Sequence, residues 1–173
     1  MISTIKKILY ATDLSKNSAY AFQYAVDLAE RAGAGIILLH VIEPIPASVK
    51  HYVKIYVDEA KWDEKIRYEQ EATLGKIRNR LQEFCRRVDT DVAHCVHLVS
   101  EIVVVPGHPV EEILKAAEEK QADAIVLGTH GKGFLVQTFL GSVARSVLDR
   151  TRKPVFIVPL PHGKTDLTFE DGI

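Results

Sequence analysis

Five short apolar runs, separated by longer amphipathic segments, constrain the fold of this chain more than any other feature of its sequence. Short apolar runs of this kind predict strands that are buried on both faces, as in a parallel sheet. Strands that alternate with helical segments predict successive β-α-β units. The predicted strands are Ile5 to Ala11, Gly35 to Val41, Cys95 to Val105, Asp123 to Thr129 and Pro154 to Leu160. The sequence therefore predicts an α/β fold with an open five-stranded parallel sheet.

Four segments between these strands carry apolar residues at the spacing of a helix that buries one face. They are Ser18 to Ala32, about Asp58 to Val88, a segment that starts after Pro109, and about Gly141 to Asp149. The stretch from Ala47 to Trp62 has no clear periodicity, so we expect a loop or lid there. We place one domain at residues 1–160 and a loose C-terminal tail at residues 161–173, where turn formers and charges replace the apolar period.

Charge balance and cysteine content narrow the class of protein. The 22 basic and 23 acidic residues give a formal net charge of −1, so we expect no surface that holds nucleic acid through its phosphates. Cys85 and Cys95 are the only cysteines and form no C-x-x-C pair, which favours two buried thiols and a reducing cytoplasm. No apolar run approaches the roughly 18 residues of a membrane span, so we expect no membrane contact.

Polar and glycine-rich residues gather where the predicted strands end. They are Ala11, Thr12 and Asp13 after the first strand, Val41 after the second, and Leu127, Gly128, His130, Gly131 and Gly133 after the fourth. In an open parallel sheet, ligands bind outside the carboxyl ends of the strands, near the point where the strand order reverses. We therefore expect a ligand at this edge. Thr12 and Asp13 have a second explanation, since either could serve only to cap the turn into the first helix.

The glycines after the fourth predicted strand have a spacing that suits a phosphate chain. Gly131 follows Gly128 after two residues, and Gly141 with Ser142 follows after nine more. The fourth helix begins at Gly141, Ser142 and Val143, where free N–H groups and the positive end of the helix dipole favour an anion. The sequence therefore favours a phosphate group at this position, although Gly128 and Gly131 could also be ordinary turn glycines.

Two familiar phosphate motifs are excluded. A Walker-type loop needs a lysine and a hydroxyl residue after its second glycine, and Phe134 follows Gly133 instead. The dinucleotide fingerprint needs a glycine at position 136, which is Val136. Lys132 and Arg145 could reach phosphate groups or only solvent.

The glycine pattern, together with "YATDLSKNS" after the first strand and "ADAIVLGTHG" before the loop, resembles the universal stress protein (UspA) family in its ATP-binding branch. The resemblance covers about residues 3–160 in the same order. It implies a Rossmann-like sheet with strand order 3-2-1-4-5 and helices on both faces. It also implies an adenosine pocket lined by Ala11, Thr12 and Asp13, with the adenine against the Val41 backbone. The residues implied to hold ribose and phosphates are Gly128, His130, Gly131, Gly141, Ser142 and Val143.

By this resemblance the expected ligand is ATP, ADP or AMP, with Mg²⁺ or Mn²⁺ bound through the phosphates, so we assign no metal ligands to the protein. The expected function is a nucleotide-dependent binding or signalling module of the stress response, with an unidentified protein partner. Two alternatives stay open: a weak ATPase or phosphotransferase, in which Asp13 or His130 would position water, and a dimeric interaction protein with an empty pocket. We assign no catalytic residue, and any hydrolysis is expected to be slow because the Walker lysine is absent.

The fifth predicted strand lies at a sheet edge in the strand order that the family implies. Val155 to Val158 are apolar on both faces, and an edge of that kind promotes aggregation unless it is covered. Antiparallel pairing with the same strand of a second chain, around a two-fold axis, would cover it. We therefore expect a homodimer through Val155 to Val158, of a kind that is common in the family that the chain resembles.

Overall fold

A five-stranded parallel sheet organises the computed structural model, which describes residues 4–44, 58–88, 92–129 and 140–159. Its strands are β1 (Lys7–Thr12), β2 (Gly35–Ile42), β3 (Val99–Pro106), β4 (Ala124–Gly128) and β5 (Val155–Val158). They lie in the order β3-β2-β1-β4-β5, and all neighbouring pairs are parallel. The predicted α/β class and the strand order implied by the family resemblance are both confirmed.

Helices cover both faces of the sheet. They are α1 (Lys16–Ala32), α2 (Glu59–Val88), α3 (Val92–Leu98), α4 (Pro109–Glu119) and α5 (Ser142–Arg150). Successive strand residues point to opposite faces, so Ile8 and Tyr10 pack with α1, α2 and α3, whereas Leu9 packs with α4 and α5. The two apolar layers bury β1 on both sides and make it the centre of the fold.

The predicted third strand begins in the wrong place. Cys95 to Leu98, predicted as the start of a strand, form the last part of α3, and β3 begins only at Val99. The apolar run has no Gly or Pro between the two elements, so its pattern alone cannot separate a short buried helix from a strand. Five helices rather than four therefore appear in the described part of the chain.

The prediction of two free thiols is also wrong. Cys85 at the end of α2 and Cys95 in α3 form a disulfide with a Cα–Cα distance of 5.6 Å, and both residues are fully buried. The bond fixes α3 against α2 on the α1 side of the sheet, a contact that sequence spacing does not reveal. The cytoplasmic location predicted from unpaired thiols loses that support and stays a prediction.

Several predicted segments lie wholly or partly outside the described residues. The proposed loop or lid from Ala47 to Trp62 is described only from residue 58 onward, and α2 begins at Glu59. The tail at 161–173 is not described. None of the helices in the described ranges is both long and apolar enough to cross a lipid bilayer.

The disulfide should make a measurable contribution to stability. Cys85 and Cys95 are ten residues apart, and closing a loop of that length lowers the entropy of the unfolded chain. Replacing both cysteines with alanine should lower the free energy of unfolding by about 3 kcal/mol, measured by urea denaturation. Wild-type protein unfolded without reductant should leave no thiol to alkylate, as read by mass spectrometry. Alkylation of both cysteines under those conditions would contradict the disulfide.

Candidate functional site

The carboxyl ends of the three central strands form one edge of the sheet. Tyr10 of β1 pairs with Val126 of β4, and Thr12 pairs with His40 of β2. The chain goes from β1 to β2 on one side, and later crosses from β3 to β4 on the other side. This is the point of reversed strand order at which open parallel sheets bind ligands. The site residues predicted at the strand ends that lie together at this edge are Ala11, Thr12, Asp13, Val41, Leu127 and Gly128.

The start of α5 is attached to the same edge. The Gly141 N–H donates to the Thr129 carbonyl at 2.7 Å, directly after β4. The first hydrogen bond within the helix runs from the Arg145 N–H to the Gly141 carbonyl at 3.0 Å, so the N–H groups of Ser142 and Val143 precede it. Gly141 is the N-cap and provides no side-chain cap, and the first turn contains no acidic residue. The helix therefore presents its positive end here.

The glycine-rich loop is the part of the predicted site that the structure does not place. His130, Gly131, Lys132 and Gly133 lie within residues 130–139, which are outside the described residues. Their predicted contacts with ribose and phosphates stay predictions. In the ranges that the structure does describe, no three His, Cys, Asp or Glu side chains form a cluster that could hold a metal ion.

Thr12 and Asp13 hold the turn between β1 and α1. Asp13 Oδ1 accepts the Ser15 N–H at 3.0 Å, and Thr12 Oγ1 accepts the Leu14 N–H at 3.0 Å. The Thr12 hydroxyl donates to Ser18 Oγ at 2.9 Å. The N-cap of α1 is Ser15, whose side chain accepts the Ser18 N–H. Thr12 and Asp13 therefore both hold the turn into α1, which is the local role that the capping alternative predicts, although the N-cap itself is Ser15.

The second carboxylate oxygen of Asp13, Oδ2, differs from Oδ1 in its hydrogen bonding. Asp13 Oδ2 is buried and has no hydrogen-bond partner among the described residues. A buried carboxylate oxygen without a donor is costly, because it loses its water and gains nothing in return. Its donor must come from a ligand, from water or from a part of the chain outside the described residues. The position is therefore suited to a ligand that offers a hydroxyl or amino hydrogen.

Apolar residues lie at the same edge of the sheet as Asp13. Ala11 and Val41, one residue before the ends of β1 and β2 and on the face of α4 and α5, are half-buried there, as is Val143 of α5. Leu127 of β4 is buried in the same cluster. An apolar surface beside a few well-placed polar groups is typical of small-molecule sites.

Buried polar contacts hold the turn on the side of the sheet that faces α1 and α2. The Tyr10 hydroxyl donates to the Ser18 carbonyl, and burial raises the pKa of this phenol above its ordinary value, so it stays protonated. His40 Nδ1 lies 2.8 Å from the Thr12 carbonyl. In the sequence, a histidine within the apolar run of β2 could have indicated a buried hydrogen bond of this kind. The serines of "DLSKNS" could have indicated the helix cap.

Arg80 of α2 is the site residue that sequence reasoning missed. Its Nη1 atom donates to the Leu14 carbonyl at 3.3 Å, across 66 residues of sequence. Arg80 lies next to the buried apolar stripe of α2, beside Ile77 and Leu81, and no local pattern indicates that its guanidinium reaches the β1–α1 turn.

Comparisons with known proteins agree with this architecture. The model of the universal stress protein family matches residues 4–159. Universal stress protein MJ0577 of Methanocaldococcus jannaschii is 29% identical, over 88% of this chain and 94% of the relative. Its solved structure has a TM-score of 0.67 at 28% identity and covers 93% of this chain and 100% of that chain. Universal stress protein YxiE of Bacillus subtilis is 34% identical, over 88% of this chain and 97% of the relative.

A further solved structure shows the same fold. It is a universal stress protein in complex with cAMP, with a TM-score of 0.52 at 23% identity, and the match covers 91% of this chain and 98% of that one. The family match extends over nearly the whole described chain and includes the strands that form the candidate site. This chain belongs to the universal stress protein family.

Proposed function

We propose that this protein binds an adenine nucleotide, ATP or its products ADP and AMP, between the end of β1 and the start of α5. The observation that carries the proposal is Asp13 Oδ2, a buried acceptor with no donor among the described residues. A family member of the same fold in complex with cAMP supports an adenine nucleotide as the ligand class. The protein would act as a nucleotide-dependent signalling or binding module in the stress response, with a protein partner and with the predicted cytoplasmic location.

The two ends of the site suit the two ends of a nucleotide. The apolar surface at Ala11 and Val41 suits the adenine ring, while Asp13 Oδ2 can accept a hydrogen from the adenosine part. The N–H groups of Ser142 and Val143, which precede the first hydrogen bond within α5, suit a phosphate group. The family resemblance adds Gly128, His130, Gly131 and Gly133 to the proposed contacts. Mg²⁺ or Mn²⁺ would be held through the phosphates and would reduce their charge.

We propose binding with at most slow hydrolysis. As a general base, Asp13 would have to act through Oδ2, since its Oδ1 accepts the Ser15 N–H and holds the turn. In the proposed complex Oδ2 accepts a hydrogen from the adenosine, so it is not available to activate water at the phosphates. His130, the other candidate, lies outside the described residues. No observation in the described chain favours the weak ATPase or phosphotransferase over a binding module.

Replacing Asp13 with asparagine tests the nucleotide proposal. Asparagine keeps one oxygen for the Ser15 N–H and replaces the second acceptor with an N–H₂ donor, so the turn remains and the ligand contact is lost. Calorimetry should show that the Kd for ATP rises by about tenfold or more. The matched control is Asp149→Asn, which removes the same charge from an exposed residue of α5 and should leave the Kd unchanged. Unchanged ATP affinity in a folded Asp13→Asn variant would reject the assignment.

We also propose a homodimer through β5. Among the described strands β5 pairs only with β4, and Phe156 is 42% exposed on it. The carbonyls of Pro154 and Val158 accept N–H groups from the β4 side. Backbone groups alternate in direction along a strand, so the N–H and C=O of Val155 and Ile157 point to the open edge. A second copy of β5 would satisfy them.

Light scattering after size-exclusion chromatography tests the dimer. Wild-type protein should have about twice the chain mass of 19.3 kDa. Phe156→Lys should shift it toward monomer, because a charged side chain opposes pairing at a strand edge. The control is Leu148→Lys, which changes a similarly exposed apolar residue of α5, 47% exposed, outside the edge strand. A wild-type monomer at tens of micromolar would contradict the proposal.

A further inference from the structure

The β1–α1 turn contains an unusual backbone conformation. Leu14 has a φ of 62°, in the left-handed region that leucine rarely adopts. Such a conformation costs free energy and persists only where its surroundings fix it. Both polar groups of Leu14 are fixed, since its N–H donates to Thr12 Oγ1 at 3.0 Å and its carbonyl accepts from Arg80 Nη1 at 3.3 Å. The turn is therefore held from β1 and from α2 at once.

The Arg80 contact comes from the opposite face of the sheet. Arg80 lines a small cavity with Tyr10, Thr12 and Ser18, in the layer of α1 and α2. The proposed ligand surface at Ala11 and Val41 belongs to the layer of α4 and α5. Burial lowers the pKa of Arg80, and a partly desolvated guanidinium makes a stronger hydrogen bond than one in open solvent.

We propose that Arg80 is a positioning residue for the nucleotide site, because it holds Leu14 in the left-handed conformation and thereby orients Asp13. The inference rests on the proposed function. Asp13 is oriented by the bond from the Ser15 N–H to its Oδ1, and the direction of that N–H depends on the backbone of Leu14. Without Arg80, only the bond from the Leu14 N–H to Thr12 Oγ1 holds Leu14, and its backbone relaxes toward the conformations that leucine prefers. Asp13 Oδ2 is then no longer pre-organised for its ligand, and affinity falls.

The proposal predicts which part of the ligand is affected. Asp13 is assigned to adenosine, whereas the start of α5 is assigned to phosphate. Loss of Arg80 should therefore weaken the binding of ATP and of adenosine by the same factor. If Arg80 instead contacted a phosphate group directly, its loss would weaken the binding of ATP and leave the binding of adenosine unchanged.

Calorimetry with ATP and with adenosine separates these cases. Arg80→Met should raise both Kd values by the same factor, roughly tenfold, because the stabilisation that one charged hydrogen bond gave to the turn must then be supplied by ligand binding. Arg80→Lys keeps a cationic donor and should recover part of the affinity. The control Arg78→Met changes an exposed arginine of the same helix and should change neither Kd. Unchanged affinity in folded Arg80→Met, or a loss for ATP alone, would overturn the proposal.

Hydrogen exchange provides a readout that does not depend on nucleotide. In ligand-free Arg80→Met the Leu14 amide should exchange faster, while amides within β1 keep their protection. If wild-type protein binds neither ligand, the proposed function fails, and the Leu14 amide alone decides whether Arg80 holds the turn. Unchanged exchange would overturn that role. If Arg80→Met does not fold, Arg80→Lys is measured instead and should show a smaller loss that is equal for the two ligands.

Discussion

The Asp13 carboxylate connects the fold of this protein to its candidate function. One oxygen accepts the Ser15 N–H and closes the turn by which the central strand β1 leads into α1. The other is buried without a donor among the described residues. Because the first bond fixes the orientation of the second oxygen, the architecture of the turn determines what the site can accept. The hydrogen bonds of Thr12, Ser18 and Arg80 hold the same turn from the opposite side of the sheet.

The sheet was predictable because its strands are apolar on both faces. The runs of β1, β2 and β4 lie between helices on both sides, so every residue except Lys7 is buried or half-buried and the pattern is unambiguous. The start of β3 was not predictable in the same way. Cys95 lies in a helix and is bonded to Cys85 of α2, a constraint that involves a residue outside the apolar run. An apolar run alone does not record that constraint.

The meeting of the strand-end residues at one edge was predictable for a similar reason, whereas the contacts that hold the β1–α1 turn were not. Polar residues after several buried strands must meet at one edge, and this placed Asp13, Val41 and Gly128 together. The structure was needed to see that Asp13 holds the turn with one oxygen and buries the other without a donor among the described residues, because an aspartate after a strand is also typical of a turn alone. Arg80 contacts a residue 66 positions away, and a long-range bond to a backbone carbonyl imposes no local pattern.

A crystal structure of the protein with ATP and Mg²⁺ tests the central claim most directly. The account predicts a hydroxyl or amino group of the adenosine at hydrogen-bond distance, roughly 3 Å, from Asp13 Oδ2. It also predicts phosphate oxygens at the N–H groups of Ser142 and Val143. A nucleotide bound elsewhere on the protein, or bound at this edge with Asp13 Oδ2 still lacking a donor from the ligand, would contradict it.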